Sequence, residues 1–108
     1  MAFDHPARIV VTDYARRNID EIIGYYKSIS SKVAADFLIE LDSVLENIAK
    51  TPHFKILFDH YRAVKIRRFP YVIIYRYSES ENTAKIIILF NTWNDPQRLN
   101  DLVKYFRD

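Results

Sequence analysis

Arg62, Lys65, Arg67, Arg68 and Arg76 place five basic side chains within fifteen residues that hold no acid. Guanidinium and ammonium groups gathered in this way neutralise phosphates or carboxylates. The patch therefore suits an anionic partner, either nucleic acid or an acidic protein segment. It stands out because the formal net charge is only +2. Residues 1–60 carry seven basic and nine acidic side chains, and residues 61–108 carry nine and five.

Other groupings point to less chemistry. His5, His53 and His60 have no compact ligand spacing, so loop or surface histidines explain them better than a metal site. Asp42 and Glu46 lie four apart, as paired carboxylates would, but a wet helix face accounts for both. Tyr25 and Tyr26 have the rings to stack a base, although one is expected in the core. Trp93, the one tryptophan, is either rim packing or a partner contact. With one glycine, Gly24, there is no phosphate-cradling loop, and no Ser-His-Asp set can be assembled. The absence of cysteine excludes disulfides, thiolate zinc and a Cys nucleophile. No cofactor and no metal are expected.

The chain has 108 residues, 49% of them hydrophobic, with eight Tyr and seven Phe. That bounds it to a single domain over residues 1–108, able to bury a core without cross-links. Met1-Ala-Phe-Asp-His-Pro6 does not read as a secretory signal. The longest apolar run, Ile86 to Phe90, is too short for a bilayer. A cytoplasmic protein with no membrane association is expected.

The elements that would position the basic patch can be read from periodicity. Ala7 to Val11 is β-prone, and Thr12 is a good N-cap. Ala15, Ile19, Ile22, Ile23 and Tyr26 form one face of a first helix. Gly24 inside it costs about 1 kcal/mol against Ala, which suggests a close helix crossing. Ser28-Ile-Ser-Ser31 breaks the pattern and can cap a second helix, with its stripe at Ala34, Phe37, Leu41, Val44, Leu45 and Ile48. Pro52 ends that helix, and residues 53–61 form a connection with apolar anchors. A three-stranded meander follows: Arg62–Arg68, Phe69–Tyr77 and Ala84–Asn91, with Ser78–Asn82 as a turn. Its cations lie on the first two strands. In the middle strand Tyr71, Ile73, Tyr75 and Tyr77 point one way and Val72 and Ile74 the other. One face is expected against the helices, leaving the other as an exposed aromatic patch unless something covers it. Asp95-Pro96 then starts a short helix carrying Leu99, Leu102, Val103 and Phe106.

This order of elements resembles the RelE/ParE superfamily of type II toxin–antitoxin toxins, from about Ile9 to Pro96. The residues carry the likeness as well: Leu45-x-x-Ile48-x-x-x-Pro52, a basic strand with Arg67, the strand Tyr71-Val-Ile-Ile-Tyr75, and a hydrophobic strand running to Asp95-Pro96. The implied fold is α+β: an N-terminal strand, an antiparallel helix hairpin packed on a three- to four-stranded antiparallel sheet, and a short C-terminal helix. One departure is clear. The family's closing motif often begins with His and carries Arg, whereas Asn91-Thr-Trp-Asn-Asp-Pro96 stands here. A histidine acid or base at that place is excluded.

The resemblance leans to the ParE branch. It implies a toxin of a chromosomal or plasmid-stabilising pair that inhibits DNA gyrase by binding, is neutralised by a small acidic-tailed antitoxin, and forms a hetero-oligomer with it. Arg62, Lys65, Arg67, Arg68, Tyr71, Tyr75, Arg76, Tyr77, Asn91 and Trp93 are then the candidate partner contacts, with no catalytic set. One alternative is a RelE-like, metal-independent nuclease acting on ribosome-bound mRNA, with Lys65, Arg67, Arg76 and Tyr105 at the phosphate. Another is a non-toxic interaction module of the same fold. The tyrosine-bearing sheet face and the basic strand together suit an acidic amphipathic peptide.

Overall fold

The computed structural model describes residues 5–94, 97–99 and 101. The elements run β1 (Arg8–Val11), α1 (Asp13–Ile29), α2 (Ser31–Lys50), β2 (Ile56–Phe58), β3 (Tyr61–Lys65), β4 (Tyr71–Ser78) and β5 (Thr83–Asn91). The strands form one sheet in the order β1-β5-β4-β3-β2, with β1 parallel to β5 and the other neighbours antiparallel. The sheet is thus wider than the three-stranded meander. Ile56–Phe58, expected in a connection, pairs with β3 as a short edge strand. Residues 97–99 and 101 are helical, and Leu99 packs on the sheet. Asp95, Pro96, Leu102, Val103, Tyr105 and Phe106 lie outside the described residues.

The helix ends follow from their capping residues. Thr12 Oγ1 accepts from Ala15 N at 3.1 Å and donates to Ile86 O at 2.9 Å, so the α1 cap is also tied to β5. Ser30 alone joins the helices. Its N–H closes α1 on Tyr26 O at 2.8 Å, and its hydroxyl accepts from Lys32 N and Val33 N at the start of α2. Thr51 caps α2 through Asn47 O, just ahead of Pro52. The predicted close crossing at Gly24 does not exist. Gly24 is exposed, and an added Cβ would meet nothing within 4 Å.

Both sheet faces are covered. Tyr71, Ile73 and Tyr75 face the helices with Ala84, Ile86 and Leu89, among Ile22, Phe37, Leu41 and Ile48. Tyr61, Ile74, Ile87, Ile88 and Phe90 form a second cluster on the outer face, closed by Tyr14, Phe58 and Leu99. The expected open aromatic patch is therefore absent among the described residues. Both clusters draw on β4 and β5, and a bulge shifts the alternation along β5. Ile74 pairs with Ile88 and Tyr75 with Ile86, so Ile87 is the extra residue and the alternation slips by one.

Aromatic rings lock the hairpin to the sheet. Phe69 stacks edge-on against Phe37 at 5.2 Å and against Tyr26 at 5.3 Å, and Phe37 meets Tyr71 at 6.0 Å. Tyr75 is fully buried, and its hydroxyl donates to Pro52 O at 2.6 Å and accepts from Phe54 N at 3.3 Å. That bond joins β4 to the exit of α2.

Three outcomes are expected. Gly24→Ala raises stability by about 0.5–1 kcal/mol, read as a higher denaturant midpoint, because the helix gains propensity without a clash. Tyr75→Phe lowers stability by about 1–3 kcal/mol, since two backbone groups lose a buried partner. Burial pushes the Tyr26 phenol up to about 12, with Tyr71 adding to the shift, and burial also raises Tyr71 and Tyr75. The fold thus holds these protons more tightly than the unfolded chain. Their contribution is complete below pH 10.0, the unperturbed value, and is lost as pH climbs towards 12, which a thermal unfolding series would show.

Candidate binding surfaces

The basic run does not form one strand-borne patch. Arg67 and Arg68 lie in the turn between β3 and β4. Ile66 N donates to Tyr71 O at 2.9 Å to close that turn, and Arg68 takes a left-handed φ of 70°. Phe69 can then enter the core. Several of these cations serve the fold. The Lys65 ammonium donates to Ile66 O at 2.9 Å and to Phe69 O. Arg62 donates to Phe54 O at 2.7 Å, and Arg68 reaches Glu40 at 3.6 Å and Asp36 at 3.9 Å on α2.

The proposed nuclease set is likewise dispersed. Lys65 pairs with Val72 and Arg76 with Tyr61, at opposite ends of the β3–β4 ladder. Four residues of strand separate them by about 13 Å. Arg67 lies beyond the Lys65 end, and Tyr105 is outside the described residues. Tyr71 and Tyr75 line the helix-facing core, so they are not available as an open docking face. Tyr77 donates to Asn82 Oδ1 at 2.7 Å and also faces the helices. The tyrosine-bearing face is the one the helix hairpin packs against, and its rings offer a large apolar area there.

Arg76 belongs to a different constellation, on the outer face. It lies directly opposite Lys85 on β5, which in turn pairs with Val10, while Arg8 pairs with Thr83. Arg8, Arg76 and Lys85 line a groove of about 660 Å³ that has Glu81 as its one acid among the described lining residues. All three cations are exposed, and none forms an ion pair among the described residues. The Arg76 guanidinium lies 5.6 Å from the Tyr61 ring centre. Like charges directly opposite on one face cost stability, and an anionic occupant would relieve that cost. Arg8 and Lys85 were missed from sequence. Lys85 did carry a signal, as the charged residue within an otherwise apolar strand.

Asn91 and Trp93 lie at the other end of the β4–β5 ladder. Asn91 Oδ1 accepts from Trp93 N at 2.9 Å, Asn91 O accepts from Asn94 N at 3.0 Å, and Thr92 N donates to Pro70 O at 2.8 Å. Asn91 therefore shapes a turn that holds Trp93 outward, 83% exposed. A hollow of about 380 Å³ sits beside it, lined by Tyr25, Tyr26, Ile29, Pro70 and Tyr71. It adjoins a second hollow of about 360 Å³ that shares Tyr25, Tyr71 and Asn91 and adds Arg17, Glu21 and Arg98. Asn18, on the α1 stripe, donates no charge here; its Oδ1 accepts from Leu89 N at 2.8 Å. His53 pairs with Glu79 at 3.2 Å. Among the described residues no three His, Cys, Asp or Glu side chains gather, and no helix is long and apolar enough to cross a membrane.

Three solved structures similar to this chain are toxin–antitoxin proteins. The chromosomal ParDE system from P. aeruginosa matches with a TM-score of 0.68 at 13% identity, covering 82% of this chain and 98% of that one. The RelBE2 toxin–antitoxin complex from Mycobacterium tuberculosis gives 0.57 at 18% identity, covering 84% and 97%. The isolated E. coli RelE toxin gives 0.50 at 14% identity, covering 94% and 99%. No curated protein sequence matches significantly. These likenesses establish the RelE/ParE fold. The profile for the ParE toxin of the type II toxin–antitoxin system parDE matches residues 9–92, and the chain belongs to that family.

Proposed function

We propose that this toxin-family protein acts by binding, with DNA gyrase as its target, and that an acidic antitoxin segment neutralises it by lying in the Arg8/Arg76/Lys85 groove. The dispersal of Lys65 and Arg76 carries the first part. A metal-independent nuclease needs its cations within reach of one phosphate, and these sit at opposite ends of a ladder. Lys65 is moreover committed to two turn carbonyls. Asn91, where a histidine would stand, holds a turn.

The second part rests on the opposed pair Arg76 and Lys85. Uncompensated cations on a sheet face match a carboxylate-rich segment that orders as it binds. The chain would act in the cytoplasm as half of a toxin–antitoxin hetero-oligomer.

Purified chain added to a gyrase supercoiling reaction is expected to inhibit it while leaving ribosome-bound mRNA intact. Message cleavage without gyrase inhibition would overturn the binding reading in favour of the nuclease. For the groove, Arg76→Glu combined with Lys85→Glu is expected to weaken antitoxin affinity by about 10–100-fold at low salt and to flatten its salt dependence. Calorimetry with the antitoxin at several salt concentrations checks this.

A further inference from the structure

We propose that the hollow beside Trp93, between the C-terminal end of α1 and the turn after β5, is the surface that grips the toxin's target, and that it takes a protein segment presenting an apolar side chain flanked by carboxylates. The inference rests on the reading of the chain as a binding toxin and goes beyond it by assigning the contact.

Exposed apolar area is gathered here. Trp93 is 83% exposed, Tyr25 60% and Ile29 59%, and all three border one hollow floored by Tyr26 and Tyr71. Large exposed apolar groups that cluster in this way mark interaction sites. Tryptophan and tyrosine are also the residues that dominate binding energy where they meet a partner. A core role cannot explain Trp93, because the ring is outside the core.

The surface is also held in shape. Asn91 and Pro70 fix the turn that carries Trp93. The floor belongs to the Tyr26–Phe37–Phe69–Tyr71 ring stack. A preformed site loses less ordering entropy when it binds.

The lining selects the occupant. Among the described residues the hollow beside Trp93 has no charged residue in its wall, and it includes Ile29 and Pro70, which suits an aliphatic or aromatic side chain. The adjoining hollow offers Arg17 and Arg98 against Glu21, its one acid among the described lining residues, which suits carboxylates. A nucleic acid would place phosphates around the stacked base, where this hollow is apolar. The surface is separate from the cationic groove. Tyr71 and Asn91 mark one end of the β4–β5 ladder and Ser78 and Thr83 the other, about 23 Å away along β4.

The test compares wild type, Trp93→Ala and Ile39→Ala in the full chain. Ile39 is also an exposed large apolar residue, at 64%, but lies on α2. Thermal unfolding confirms that each variant folds. Growth arrest on induction and inhibition of purified gyrase are then measured. Trp93→Ala is expected to lose about tenfold or more in both, with Ile39→Ala unchanged. Gyrase inhibition that Trp93→Ala retains in full overturns this surface and leaves the gyrase reading standing. Growth arrest that depends on Trp93 without gyrase inhibition upholds the surface and removes gyrase as the target. Loss of single-stranded oligonucleotide binding in Trp93→Ala, or of self-association in sedimentation, overturns the target protein as the occupant. A wild-type chain that does not arrest growth overturns the inference as well.

Discussion

Both hydrophobic clusters meet on β5, which must pair with β1 along one edge and β4 along the other while burying side chains above and below. A regular strand sends alternate residues to each face, and the bulge at Ile87 shifts that alternation by one, so that Ile87 and Ile88 both join the outer cluster while Ile86 and Leu89 face the helices. The neighbouring structure serves that strand. Thr12 ends β1 and starts α1 by bonding Ile86 O, and Asn18 from the next turns of α1 supplies an acceptor for Leu89 N where β1 no longer reaches. The helix hairpin then lies across one face. Tyr14, Phe58 and Leu99 close the other.

A sheet covered on both sides leaves its function to rims and ends. Cations that might form one reactive patch are divided among structural duties: Lys65 and Arg68 hold the turn that delivers Phe69 to the core, and Arg62 anchors the chain leading into β2. Among the described residues, exposed cations gather at one end of the sheet and exposed aromatics at the other. In the proposed reading these two sets serve two partners, the antitoxin and the target. A charged groove gives rate and specificity for an acidic segment, whereas desolvated aromatics give residence time.

Much of this was legible in the sequence. Both helices, the Thr12 cap and the stop at Pro52 followed from a 3.6-residue period and from known end signals, all of them local. The parity of Tyr71, Ile73, Tyr75 and Tyr77 was also legible, but not which face the helices would choose, because that depends on long-range packing. Alternation through Arg62–Arg68 could not reveal that a turn begins at Ile66, since the deciding features are a left-handed Arg68 and a buried Phe69. The partnership of Arg8 with Arg76 and Lys85 was hidden for another reason. It depends on a parallel pairing between residues more than seventy positions apart, which no local pattern encodes. Asn91 was noticed as a missing histidine, but its hydrogen bond to Trp93 N became visible only in three dimensions.

Separate faces for the antitoxin and the target are the centre of this account, and hydrogen exchange of the chain with and without its antitoxin tests that most directly. With separate faces, antitoxin binding brings new protection to β1 and the Ser78–Lys85 region, with amides of Thr92 to Asn94 and the last turn of α1 exchanging as before. Protection concentrated at Trp93 and Tyr25, with the Arg8/Lys85 region unchanged, would contradict it.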